Sequence, residues 1–261
     1  MKAIKIFTVS CLLTLGLQSN LTAQQNVLDG VYIREHAPAR KVVPYTPLRE
    51  ADVMWLKRIW QVIDLREKIN HPLYFPTEKI MDRKSLTQVV YASVLEGTIT
   101  PYGTLDDEFT VQLTRAEVEQ MTTKVDTQFI ENQFGEIEPV PIKEEFNPAN
   151  VKRYRLKEEW FFDKERSVLD QRILALAPVV YQKGVDAQGN ESISGTMELF
   201  WLYFPHCRFV FNNYFSYNDK NDAQWMSYDD LFWKRRFSST VYKESNVFDR
   251  SIDSYRTGVD A

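Results

Sequence analysis

The stretch TPLREADVMWLKRIWQVIDLREKI, residues 46–69, governs how the fold is read. Thr46 followed by Pro47 suits a helix start, since proline at the first helical position lacks only a donor that would be unpaired there anyway. At 100° per residue, Val53, Trp55, Leu56, Ile59, Trp60, Val62 and Ile63 cover about half the circumference. The opposite sector carries Glu50, Lys57, Gln61, Asp64 and Lys68, with Asp64 and Lys68 at the i, i+4 spacing of a helical ion pair. The spacing therefore predicts a helix that ends before His71-Pro72, with an apolar face broad enough to need more than one neighbour.

Working outward, a second helix is expected from Asp82 or Ser85 to Glu96. Leu86, Val89, Val90 and Val94 form its inward stripe and Gly97 its stop. Between the two helices lies the aromatic loop PLYFP, 72–76, stiffened by a proline at each end. Residues 98–113 read as a strand, a turn near Gly103 and a strand, after which Thr114 and Glu117 have the spacing of a capping box. Residues 124–150, with Pro139, Pro141 and Pro148, are weakly patterned and read as a long internal loop.

The second half reads as sheet. Residues 151–160 alternate imperfectly, 168–180 pass from mixed to continuously apolar, and 197–204 form an apolar run suited to a central strand. A turn is expected at 186–190. Cys207, Phe209 and Phe211 fall on one face of a further strand, and Ser227 with Asp230 caps a late helix running to about Phe237. A final extended piece covers 239–243. The predicted fold class is α+β: an N-terminal extended arm, a two-helix region, then a mixed or antiparallel sheet with a late helix. Residues 49–261 form one globular domain.

The N-terminus has the layout of an export signal. Lys2 and Lys5 precede an apolar run from Ile6 to Leu17, and a polar stretch ends in Leu21-Thr22-Ala23. The run is too short to cross a bilayer as a helix, which takes about 20 residues, so residues 1–23 are expected to be removed. A lipidation site at Val9-Ser10-Cys11 is the alternative, but cutting there would leave almost no apolar core. Residues 24–48 have no helical or strand period, contain Pro38, Pro44 and Pro47, and carry Arg34, Arg40 and Lys41. Val31, Tyr32, Ile33, Val42, Val43 and Tyr45 make this segment too apolar for a solvated tail, so an arm that lies on a partner is expected.

Composition excludes some classes. The 32 basic and 36 acidic residues become 30 and 36 without the leader, a net charge of −6 that gives nucleic acid no electrostatic footprint. One cysteine, Cys207, remains, so no internal disulfide forms. With 9 glycines in 261 residues, tight-turning all-β architectures are disfavoured. The 6 Trp, 13 Tyr and 16 Phe suit core filling, and also contact surface.

Catalytic signatures are sparse. His36, His71 and His206 lie far apart without zinc-type spacing, and there is no nucleotide-binding glycine loop or nucleophile elbow. Asp106-Asp107-Glu108 and residues 218–222 lack the glycine and terminal glutamate of an EF-hand. On an expected strand, His206 and Cys207 would point to opposite faces and not act as a pair. No cofactor is expected.

Six blocks carry a family resemblance: VYIREH (31–36), RKVVPYTPLREADVMW (40–55), IDLREKINHPLYFP (63–76), EEWFFDK (158–164), LFWLYFP (199–205) and YDDLFWKR (228–235). In these the chain resembles the GldN/PorN family of gliding-motility and type IX secretion proteins of Bacteroidetes. The resemblance implies a non-enzymatic periplasmic subunit that self-associates in a ring with an outer-membrane lipoprotein of the GldK/PorK kind. It also implies contact with a GldM/PorM-like periplasmic domain and, through that, a GldL/PorL-like motor. It carries no catalytic residues. The expected partner contacts are Tyr32, Arg34, Arg40, Tyr45, Trp55, Tyr74 and Phe75. Two rivals stand beside this reading, an enzyme acting on cell-wall or polysaccharide substrates and a monomeric cargo adaptor.

Overall fold

The stretch expected to open the domain as a helix is a strand. β1, Val53–Asp64, runs antiparallel to β5, Val151–Asp163, from Val53 opposite Asp163 to Asp64 opposite Arg153. Its apolar residues match a helical period in part because both faces of its second half are covered. Ile63 packs into the main core on one face, while Trp60, 7% exposed, is buried on the other. A strand covered on two sides loses its strict alternation, which is the pattern that would have distinguished it.

The computed structural model describes residues 41–80, 83–131, 137–144, 146–185, 191–216, 218, 221 and 226–256. The expected export signal, Tyr32, Arg34, His36, Arg40 and the turn at 186–190 lie outside them. The described residues belong to one unit, Pro38–Ala261.

Seven strands form the main sheet, in the order β11-β1-β5-β6-β8-β2, with β7 also on β6. Besides β1 and β5 these are β2 (Pro101–Tyr102), β6 (Val168–Val185), β7 (Glu191–Glu198), β8 (Trp201–Tyr203) and β11 (Thr240–Glu244). Every pairing is antiparallel. The apolar run 197–204 is not one central strand. β7 ends at Glu198, β8 holds only 201–203, and a helix starts at Phe204.

Residues 124–150, expected as a loop, contain a hairpin of β3 (Lys124–Glu131) and β4 (Ile137–Glu144), paired from Lys124–Glu144 to Glu131–Ile137. Pro139 and Pro141 lie in β4. A strand in a two-stranded ribbon has one open edge, where proline's missing donor costs nothing. β9 (Phe215–Ser216) and β10 (Met226–Ser227) make a second small ribbon.

Among the described residues five α-helices accompany the sheet: α1 (His71–Tyr74), α2 (Leu86–Leu95), α3 (Arg115–Thr122), α4 (Phe204–Phe211) and α5 (Tyr228–Trp233). The expected capping box of α3 is present, and α2 starts from Ser85, the second of its two expected starts, with a capping box of its own. Ser85 and Gln88 bond each other's backbones at the start of α2, and Thr114 and Glu117 do so at α3. Gly97, at φ 75°, ends α2 with its own N–H on Val94 O and that of Thr98 on Ser93 O, the double bond of a Schellman stop. The α4 segment was expected as a strand. Its Cys207 and Phe211 are both fully buried, and the i, i+4 spacing serves a helix face as well as a strand face.

The main core joins Ile63, Leu156 and Leu176 of the sheet to Leu73, Val89, Val90, Phe204, Phe211 and Phe232 of the helices. On the other face a row runs Trp60–Lys157–Ala175–Tyr203 across four strands. The loop after β2 covers it. Asp107 accepts hydrogen bonds from Trp60 Nε1 at 2.5 Å and, on its backbone oxygen, from Lys157 Nζ at 2.6 Å.

Candidate interaction surface

The last residues of the expected arm form a strap that leads into β1, and Tyr45 pins it to the body. Its ring stacks on Trp233, centroids 5.4 Å apart and planes 24° from parallel. The Arg208 guanidinium lies 4.4 Å from the Tyr45 ring and 4.9 Å from Trp233. Arg172 sits 5.1 Å from the Tyr45 ring and 5.2 Å from the Phe161 ring, and donates to Thr46 O at 2.5 Å. A guanidinium within about 6 Å of an aromatic face makes a cation–π contact, strengthened where water is excluded. Burial pushes the Tyr45 hydroxyl pKa upward, partly offset by Arg208.

Arg208 keeps its position because Asp229 holds it. Nε and Nη2 reach the two carboxylate oxygens at 2.8 and 3.1 Å, with both residues buried. This fork-to-fork geometry fixes the guanidinium plane. Beside it, a cavity of about 170 Å³ is lined by Tyr45, Asp170, Ile173, Phe204, Phe232 and Trp233. Arg235, just past α5, adopts φ 49° and directs its guanidinium to Glu158, 2.7 Å away. Glu158 is fully buried and also accepts from Gln61 Nε2 and Trp160 Nε1. Its charge is matched by fixed donors, an arrangement suited to holding strands and helix together.

The other expected contacts are scattered. Trp55 stands 48% exposed near the start of β1. Tyr74 is turned into the body, its hydroxyl donating to Ala149 O and accepting from Lys152 Nζ at 2.6 Å. Phe75, 38% exposed, packs edge-on against both Tyr74 and His71. Thus Tyr45, Trp55 and the Tyr74–Phe75 pair do not form one site. The Arg208–Asp229 clasp leaves no local signal in the sequence, its two residues being 21 positions apart, although Trp233 and Arg235 lie in FWKRRF, 232–237, where basic and aromatic residues crowd together.

Chemistry expected to be absent can be located. Cys207 is buried in α4, its thiol donates toward Tyr203 O at 3.3 Å, and burial raises its pKa. His206, on the same helix and not on a strand, packs edge-on against Tyr203. Among the described residues no group of three or more His, Cys, Asp or Glu side chains is placed to hold a metal ion. No described helix is long and apolar enough to cross a membrane.

Residues 48–261 match the family model described as gliding motility associated protein GldN. The chain belongs to the GldN family. No curated protein matches it. Membership associates the chain with gliding motility and type IX secretion, as a structural component of that machinery. The matched region begins at Leu48, three residues after the ring that anchors the strap.

Proposed function

We propose that this GldN-family chain is a non-enzymatic subunit of the type IX secretion and gliding apparatus. In this reading it is exported to the periplasm and assembles in many copies with a GldK/PorK-like outer-membrane lipoprotein into a ring. It meets a GldM/PorM-like domain and, through it, a GldL/PorL-like motor. The family match over residues 48–261 carries the proposal.

The anchored strap supports a division of labour within it. Tyr45 is held by Trp233, Arg208 and Arg172, so the strap is fixed to the body and contact with a partner falls to residues ahead of it. Tyr32, Arg34 and Arg40 are assigned to that partner contact, with Trp55 and Phe75 as surface contacts. Tyr45 serves as the anchor.

Deleting residues 27–40 from the co-expressed chain should abolish co-purification with the lipoprotein while the far-ultraviolet spectrum and melting of the body stay unchanged. Electron microscopy of the intact pair should show rings. Retained binding by the deleted chain would remove the arm from the account, and small soluble complexes alone would favour an adaptor.

A further inference from the structure

β1, β5 and β6 form a three-stranded meander whose lower end extends beyond the rest of the sheet. β11 pairs β1 only at Ile59–Val62, with Ser245 beyond it donating its N–H to Arg58 O and accepting the Arg58 N–H on Oγ. β8 pairs β6 only at Ala175 and Leu176, and β7 begins opposite Val179. Among the described strands, then, nothing pairs the outer side of β1 from Val53 to Lys57 or that of β6 from Val168 to Arg172. Open edges are templates for further strands, and proteins usually blunt them with charge or cover. Lys57, Asp170 and Arg172 bound these stretches, but the residues at the tip of each edge are apolar. Met54 is 67% exposed, Trp55 48%, Val168 41% and Leu169 54%, and Leu56 is also exposed.

The register joins the two edges. Trp55 stands opposite Phe162, and Phe162 opposite Leu169, so one row of large apolar side chains runs from edge to edge. The strap reaches β6 higher up, at Arg172, and Asp170 accepts from the Gln171 N–H, leaving Val168 and Leu169 uncovered.

We propose that this end of the sheet is where copies of the chain meet head to tail, Val168–Leu169 of one against Met54–Leu56 of the next. Two observations favour a second copy over an unrelated partner. A single partner would cover one edge and leave the other exposed, whereas identical copies cover both and continue the Trp55–Phe162–Leu169 row. β1 and β6 also run in the same direction, each antiparallel to β5, so neighbours related by rotation bring unlike edges together. Contacts between unlike patches close into rings or extend into filaments. The inference rests on the scaffold reading above and adds the surface through which its copies join.

A cysteine pair tests it. Within one chain, positions 55 and 169 are separated by two strand spacings, roughly 9–10 Å. A disulfide requires Cα atoms within about 7 Å, so any bond between the two positions links different copies. In the chain co-expressed with its lipoprotein, W55C/L169C should give a ladder of covalent multimers under mild oxidation, and each single variant should stay monomeric on a denaturing gel. Dimers from a single variant would mean like edges meet, which overturns the head-to-tail contact. Intact rings without a ladder would overturn this surface while leaving the scaffold reading standing. Absence of rings from the unaltered chain would overturn both. As a second measurement, L169E, at an exposed position, should reduce ring particles at least tenfold while one-to-one binding to the lipoprotein persists; undiminished rings would refute the proposal.

Discussion

The Tyr45 ring lies stacked on Trp233 at 5.4 Å, and Arg208 reaches over both rings. This contact fixes the strap to α5. Thr46 O on Arg172, the Lys164 N–H on Asp52 O and the Arg49–Glu165 ion pair also tie the strap to the body. Surface ion pairs contribute little, so the aromatic contact is the one to test.

Tyr45→Ala should therefore lower stability by about 2–3 kcal/mol, the combined size of one aromatic pair and two partly shielded cation–π contacts. Tyr45→Phe should cost much less, because the ring is retained. Urea unfolding gives the stabilities, and tryptic cleavage at Lys41 and Arg49 reports the strap. Cleavage that is no faster in the alanine variant would show that the strap is held elsewhere.

The clasp beneath the ring makes a second prediction. Replacing Arg208 with Met leaves the buried Asp229 carboxylate without its guanidinium, and breaking one side of a buried pair costs about 3–5 kcal/mol. The double variant Arg208→Met/Asp229→Leu removes the stranded charge as well. It should recover much of the loss in urea midpoint, though not the cation–π share owed to Tyr45. A double variant less stable than Arg208→Met would show that the pair contributes more than mutual neutralisation.

Features fixed by local chemistry were legible in the sequence. The Thr114–Glu117 capping box and the Gly97 stop each follow from a few neighbouring residues, and both are present. Elements decided by tertiary burial were not. β1 has seven apolar positions that fit a helical period, yet Val53, Trp55, Ile59, Trp60, Val62 and Ile63 are β-branched or aromatic, types that favour strands. Composition pointed one way and spacing the other, and pairing with β5 along the whole strand settled it. In α4 the period-two spacing of Cys207, Phe209 and Phe211 misled, since Phe209 is half-exposed and only the i, i+4 pair faces the core. Of the arm residues read as partner-facing, Tyr45 lies among the described residues, and it packs against Trp233 and Arg208. An aromatic ring next to arginines suits an interface or an internal clasp equally, and only the fold shows that Tyr45 is in a clasp.

Acid sensitivity at the end of β1 gives the last prediction. Asp64 accepts from Arg66 Nε at 2.9 Å and Nη2 at 2.6 Å, from the Arg66 backbone N–H at 3.0 Å and from Arg153 Nε at 3.3 Å. The Arg66 side-chain hydrogen bonds, more than any other cause, bring its pKa down to about 2. A depressed carboxylate stabilises the fold above the ordinary carboxylate range and loses that contribution as pH falls toward the folded value. Arg66 is largely exposed, so solvent screening holds the effect to about 1 kcal/mol at neutral pH. Asp64→Asn should thus be about 1 kcal/mol less stable than the parent chain at pH 7 and pH 5. The gap should narrow between pH 4 and pH 2, where the parent carboxylate itself becomes neutral, and raised salt at pH 7 should narrow it as well. Urea midpoints of both chains at pH 7, 5 and 3 measure this directly. A gap unchanged by pH would mean that Asp64 contributes through shape or neutral hydrogen bonding and not through its charge.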